Sequence, residues 1–152
     1  MPEKKEKISV LVLCTGNSCR SQMAEAWIRH FHGDRITVYS AGIEAHGLNP
    51  YAVKVMEEAG VPLSGHASKT IDELPVKEFD YVITVCDHAR EACPYFPARV
   101  KVLHRGFDDP PSLTRDETDE ERRLAVYRRV RDEIREFART LPAFLGLSDQ
   151  GA

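Results

Sequence analysis

The sequence predicts an α/β fold, a three-layer arrangement in which a four-stranded parallel sheet of order 2-1-3-4 is flanked by helices. Three observations predict it. Residues 8–13 are a β-branched, nearly continuous apolar run, as expected of a central parallel strand buried on both faces. Strand-like and helix-like segments then alternate along the chain. With 152 residues, 42% hydrophobic and 30% charged, the chain has the size and composition of one core, so residues 1–152 are read as a single domain, with a tail after 145 that frays.

The first strand ends at Cys14. After a loop, Met23, Trp27 and Phe31 recur every fourth position beside Ala24 and Ile28, the stripe of a helix that Gly33 can terminate. Residues 36–40 read as a second strand. Asn49 and Pro50 supply an N-cap and a first-turn proline for a helix running to Gly60. The third strand, 81–85, ends at Cys86, and the fourth, 100–103, precedes a loop over 106–111. Thr118 and Glu121 have capping-box spacing for a last helix, whose core stripe is Leu124, Tyr127, Val130, Ile134, Phe137 and Leu141. Residues 44–48 and 61–77 carry no pattern and are expected to be loops. In strand order 2-1-3-4 the ligand crevice lies at the carboxyl ends of strands 1 and 3, which places Cys14 and Cys86 on one crevice.

A formal charge of −3 gives no electrostatic footprint for nucleic acid or an anionic membrane. Lys4, Lys5 and Lys7 precede an apolar run too short for a membrane span or a cleavable signal, so a cytoplasmic protein is expected. Cytosolic thiols are kept reduced, so Cys14, Cys19, Cys86 and Cys93 point to catalysis, redox chemistry or metal binding before a structural disulfide. Their spacing, Cys-x4-Cys and Cys-x6-Cys, lacks the knuckles of a structural zinc site, and no metal is expected.

The segment Cys14, Thr15, Gly16, Asn17, Ser18, Cys19 and Arg20, followed by Ser21, joins a buried strand to a helix start. Backbone N–H groups there converge on an anion, and the loop can wrap a tetrahedral oxyanion. Gly16 permits torsions closed to other residues, and the Arg20 guanidinium can hold two oxyanion atoms in a fork. These groups favour a Cys14 thiolate, with Ser21 as a hydrogen-bond donor to it. A bare Cys-x5-Arg pattern also occurs by chance; strand, glycine and helix in the correct order argue for the anion loop.

The stretch from Cys14 to Glu25 resembles the active-site loop of the thioredoxin-coupled arsenate reductases, which share the low-molecular-weight tyrosine phosphatase fold. The resemblance extends through Tyr39, Ser40, Ala41 and Gly42, from Cys86 to Pro94, and from Gly106 to Pro110. It implies reduction of arsenate to arsenite by an oxidoreductase with three redox cysteines. Cys14 is the nucleophile, Cys86 the second thiol and Cys93 the resolving thiol, with Asp109 as general acid and thioredoxin as electron donor. Weak phosphatase activity is an expected side reaction, and phosphate or sulfate should act as analogues of arsenate.

Position agrees with that assignment. Neighbouring strands lie about 4.8 Å apart, so residues beyond strands 1 and 3 can approach disulfide distance. Cys93 falls seven residues after Cys86, about 10.5 Å along a helix, so their bonding requires that segment to unwind. Asp109 precedes Pro110 at the same sheet edge, although an Asp-Pro turn is also a common structural device and Asp108 is a neighbour of the same type. His88 and Cys19 are given no role.

No tightly bound cofactor is expected. Some members of the family hold a monovalent cation beneath the loop, and Asn17, Glu25 and Ser40 match three of its ligands, with Ala67 and Lys69 at the remaining positions. The expectation is that the Lys69 ammonium replaces potassium, pairing with Glu25 and bracing Asn17. A monomer is expected. The competing readings are a phosphotyrosine phosphatase, which needs only Cys14, Arg20 and Asp109, and a non-catalytic oxyanion or redox sensor.

Overall fold

The computed structural model describes residues 7–87 and 95–147. Its centre is a four-stranded parallel sheet of order β2-β1-β3-β4. The strands are β1 (Ile8–Cys14), β2 (Ile36–Gly42), β3 (Tyr81–Thr84) and β4 (Lys101–His104). Register runs Cys14 to Gly42 on one side of β1 and Leu13 to Thr84 on the other. All strands therefore end at one edge.

The apolar run of β1 feeds two cores. Val10 and Val12 face one layer and Leu11 and Leu13 the other, all four with no exposed surface. The first layer is built by α1 (Arg20–His32), α2 (Pro50–Glu58) and α4 (Glu120–Arg139). The predicted stripes of α1 and α4 lie in it, including Met23, Trp27, Leu124, Tyr127, Val130 and Ile134. On the opposite face, among the described residues, Leu74, Phe79, Phe96 and Ala98 cover Leu11, Leu13 and Val82.

Several boundaries differ from expectation for identifiable reasons. Gly33 ends α1 with φ −59°, a right-handed cap whose N–H still bonds Arg29 O, so no left-handed residue is used. The helix expected to open on a Thr118/Glu121 capping box begins instead at Glu120 after Asp119, whose N–H is held by the Glu117 carboxylate at 3.0 Å. The box falls in the patternless segment 61–77, where Thr70 N–H and Oγ1 both donate to Glu73 Oε1 and start a 3-10 turn, Ile71–Glu73. The loop expected over 106–111 becomes helical at its end, α3 (Pro110–Leu113), with Pro110 supplying a preset φ at the first position. Leu141 leaves α4 for a separate turn, α5 (Leu141–Phe144), because Pro142 cannot continue the helix above Ala138.

Candidate active site

The loop between Cys14 and Arg20 is shaped from outside by the chain that follows β2. Glu44 N–H donates to Thr15 O at 3.2 Å, His46 N–H to Gly16 O at 3.0 Å and Asn49 N–H to Ser18 O at 2.9 Å. In a trans peptide the N–H of the next residue opposes each carbonyl, so the N–H groups of Gly16, Asn17 and Cys19 point away from this segment, on the side an anion would occupy. Helix α1 adds its positive end there, with no acidic residue in the first turn and no side-chain cap at Cys19.

The left-handed torsion in the loop belongs to Asn17, at φ 49°, and not to Gly16. Gly16 has a different consequence: a Cβ there would sit 2.3 Å from His46 Nδ1, so a larger residue must displace the His46 ring. Asparagine tolerates the left-handed region when its side chain is tied locally. Here Asn17 Nδ2 donates to Ser21 Oγ at 2.9 Å, and Asn17 Oδ1 accepts from Lys69 N–H at 2.8 Å and Gln22 Nε2 at 3.0 Å. By accepting from Asn17, Ser21 keeps its own proton for another acceptor.

Arg20 is buried, donating from Nη1 to Phe107 O at 3.2 Å and pairing through Nη2 with Asp109 Oδ1 at 3.5 Å. The two neighbouring aspartates are thereby separated. Asp108 is bound outward by Arg129 Nη2 of α4 at 3.0 Å, while Asp109 faces Arg20 and the loop.

Cys14 and Cys86 are both buried, at the ends of adjacent strands, with Val85 N–H still bonded to Leu13 O. Cys86 is disulfide-bonded, whereas Cys14 and Cys19 are thiols. Burial, reinforced by Cys14 beside it, pushes the Cys19 thiol far above its ordinary range. It is held as the protonated thiol, in keeping with a structural place in the loop. Cys93 and His88 lie outside the described residues.

The cation expectation needs correction. Lys69 Nζ does not reach Glu25; it donates to Ala67 O at 3.1 Å, and Lys69 braces Asn17 through its backbone N–H. Glu25 is neutralised by Arg29, whose Nη2 lies 2.5 Å from Oε2, while Ser40 Oγ donates to Oε1. Arg29 sits one helical turn beyond Glu25 and reaches it along α1, whereas the Lys69 side chain turns back onto its own loop at Ala67 O. Ala67 O accepts from Gln22 Nε2 as well, so Asn17 Oδ1, both Glu25 oxygens and Ala67 O already accept hydrogen bonds, and Ser40 Oγ is engaged as a donor. These residues do not fit a bound monovalent cation. Among the described residues no cluster of His, Cys, Asp or Glu could hold a metal, and no helix is long and apolar enough to cross a membrane.

Gln22, Arg29, His46, His66 and Tyr127 escape sequence reading. Tyr127 reads as core, yet its hydroxyl accepts from Asn49 Nδ2, beside the loop. The signal for them is the polar pair Gln22 and Glu25 beside the apolar stripe of the first helix, both buried with it.

A strand-loop-helix oxyanion cradle at the carboxyl edge of a 2-1-3-4 sheet, with a buried cysteine and arginine, defines a low molecular weight phosphotyrosine protein phosphatase fold. The sequence profile of that family matches residues 9–149, and the chain belongs to it. Within it, the chain is similar to an arsenate reductase of Halalkalibacterium halodurans, 54% identical over 125 residues, covering 82% of this chain and 88% of that one. An arsenate reductase of Bacillus subtilis is 51% identical over 135 residues, with 86% and 95% covered. A solved arsenate reductase in the phosphate binding state superposes with a TM-score of 0.72 at 29% identity, over 90% of this chain and 98% of the other.

Proposed function

We propose that this chain is a thioredoxin-dependent arsenate reductase of the cytosol. The observation that carries this reading is the second thiol position, Cys86, at the end of the strand beside Cys14, with a further cysteine in the chain after it. Hydrolysis of a phosphoester needs neither.

In this reading the Cys14 thiolate attacks arsenic held by the loop N–H groups and Arg20, and Asp109 supplies the proton with which one oxygen leaves as water. Cys86 then attacks the Cys14 sulfur. The electron pair of the S–As bond passes to arsenic, arsenite departs, and a Cys14 to Cys86 disulfide remains. Cys93 attacks Cys86, restoring the Cys14 thiol and leaving a Cys86 to Cys93 disulfide for thioredoxin to reduce.

The test is arsenite formation with purified thioredoxin, its reductase and NADPH. Turnover is expected with the intact chain and none with Cys86→Ser or Cys93→Ser. The family match favours one alternative, a phosphatase using Cys14, Arg20 and Asp109 alone. Undiminished phosphotyrosine hydrolysis in the double variant, with no arsenite from the intact chain, would establish that reading.

A further inference from the structure

Arg29 projects from the outer side of α1, about half exposed, and lies outside the oxyanion loop in sequence. Its guanidinium nevertheless joins two hydrogen-bond chains that run inward. Through Nη2 it holds Glu25, and the other oxygen of Glu25 accepts from Ser40 of β2, which pairs with Val12 of β1 two residues before Cys14. Through Nη1 it meets His66 Nε2 at 3.3 Å. His66 Nδ1 lies 2.8 Å from Gln22 Oε1, and Gln22 Nε2 reaches Asn17 O at 3.1 Å and Asn17 Oδ1 at 3.0 Å.

The donors and acceptors allow one arrangement. A guanidinium only donates, so His66 Nε2 must accept; Gln22 uses its amide nitrogen on Asn17 and Ala67, so Oε1 must accept from a protonated His66 Nδ1. His66 is thus the neutral Nδ1–H tautomer, and Arg29 selects it. Gln22 and Asn17 have no exposed surface, so water cannot take over the bonds between them. Asn17 is also the residue that holds the loop's left-handed torsion.

We propose that Arg29 is a positioning residue for the oxyanion loop, fixing the neutral tautomer of His66 and the Glu25 carboxylate at once, and through Gln22 the conformation of Asn17. This rests on the oxyanion reading of the loop. A lysine cannot replace it, because a single ammonium does not span Glu25 and His66 in a planar fork. It also makes a soluble cation unnecessary, since the positive charge beneath the loop is built into α1.

Arg29 lines an open cleft of about 720 Å³ with Glu25, His66 and Lys69, so small cations can enter the space that its removal leaves. The experiment compares the intact chain with Arg29→Ala and Arg29→Lys, measuring inorganic phosphate affinity by calorimetry and the pH profile of Cys14 alkylation. Arg29→Ala should weaken phosphate about tenfold and move the alkylation profile to higher pH. Guanidinium far below denaturing concentration should restore both, and equal sodium chloride should not. The intact chain should bind phosphate equally in sodium, potassium and choline salts.

Unchanged affinity and alkylation in Arg29→Ala overturn the proposal, as does a loss that guanidinium leaves unrepaired in a variant with native near-ultraviolet circular dichroism. Tighter binding by the intact chain in potassium alone also overturns it. If Arg29→Ala does not fold, Arg29→Lys decides: a shifted alkylation profile supports the proposal and a native one refutes it. Should the intact chain bind no phosphate, the oxyanion reading fails by itself, and the alkylation profiles still decide the role of Arg29.

Discussion

At the scale of single residues, the loop depends on close backbone approach more than on torsional freedom. A Cβ on Gly42 would lie 2.6 Å from Thr15 O, 2.8 Å from Glu44 O and 2.9 Å from Asn17 N, all backbone atoms that no rotamer change can move. Gly42→Ala should therefore push the loop away from β2 and destabilise the fold by about 1–3 kcal/mol. Calorimetry should show phosphate binding lost, and native affinity in that variant would refute the packing argument. Cys14, Arg20 and Asp109 are legible in sequence because their chemistry fixes their spacing. The attribution of the unusual torsion to Gly16 fails because asparagine, tied at both ends of its amide, can carry it, and nothing in the sequence states that tie.

His66 supplies a pH dependence at the same scale. Burial pushes its titration below the ordinary value of 6.5; Glu25 raises it, and Arg29 and Lys69 lower it. The folded protein therefore binds this proton less readily than the unfolded chain. Stability is complete above pH 6.5 and drains as pH falls through 6.5 toward the folded-state value. His66→Asn keeps a donor near the Nδ1 position and cannot titrate. Denaturant unfolding of the intact chain between pH 7.5 and 5 should lose stability on the acid side, and the variant should show a flatter profile; parallel profiles would refute the assignment (about the range in which an ordinary histidine titrates).

At the scale of elements, periodicity was a reliable guide wherever a long face is buried. The stripe of α4 from Leu124 to Phe137 packs as its spacing requires, and Asn49 caps α2 by accepting from the N–H groups of Tyr51 and Ala52. Cap spacing alone was a poorer guide. Thr118 with Glu121 and Thr70 with Glu73 present the same pattern, but only the second closes. Before α4, Asp119 lies one residue nearer the helix and its N–H is taken by Glu117, so the competing Thr118 is left outside. The cation expectation fails for a related reason. Lys69 stands at the aligned position, but a helical i, i+4 pair brings Arg29 to Glu25 with less chain ordered, and a position in sequence does not say where a long side chain ends.

At the scale of the whole molecule, separate elements converge on one loop. The α2 cap residue Asn49 holds Ser18, Arg20 ties the loop to Phe107 and Asp109 between β4 and α3, and Gln22 reaches Ala67. Global unfolding cannot leave such a cradle intact, so an oxyanion bound there must stabilise the entire fold. For a ligand that binds only the native state, stability rises by RT ln(1 + [L]/Kd), about 2.7 kcal/mol at a hundredfold excess over Kd. For a chain of this size that corresponds to a rise in Tm of about 5–10 °C. Arg20→Lys keeps the charge but loses the fork that spans Phe107 O and the anion, and should lose most of this rise. Thermal unfolding with phosphate, against sodium chloride at equal ionic strength, measures it. A full shift retained in Arg20→Lys would mean that the anion binds elsewhere and that the loop is not the ligand site.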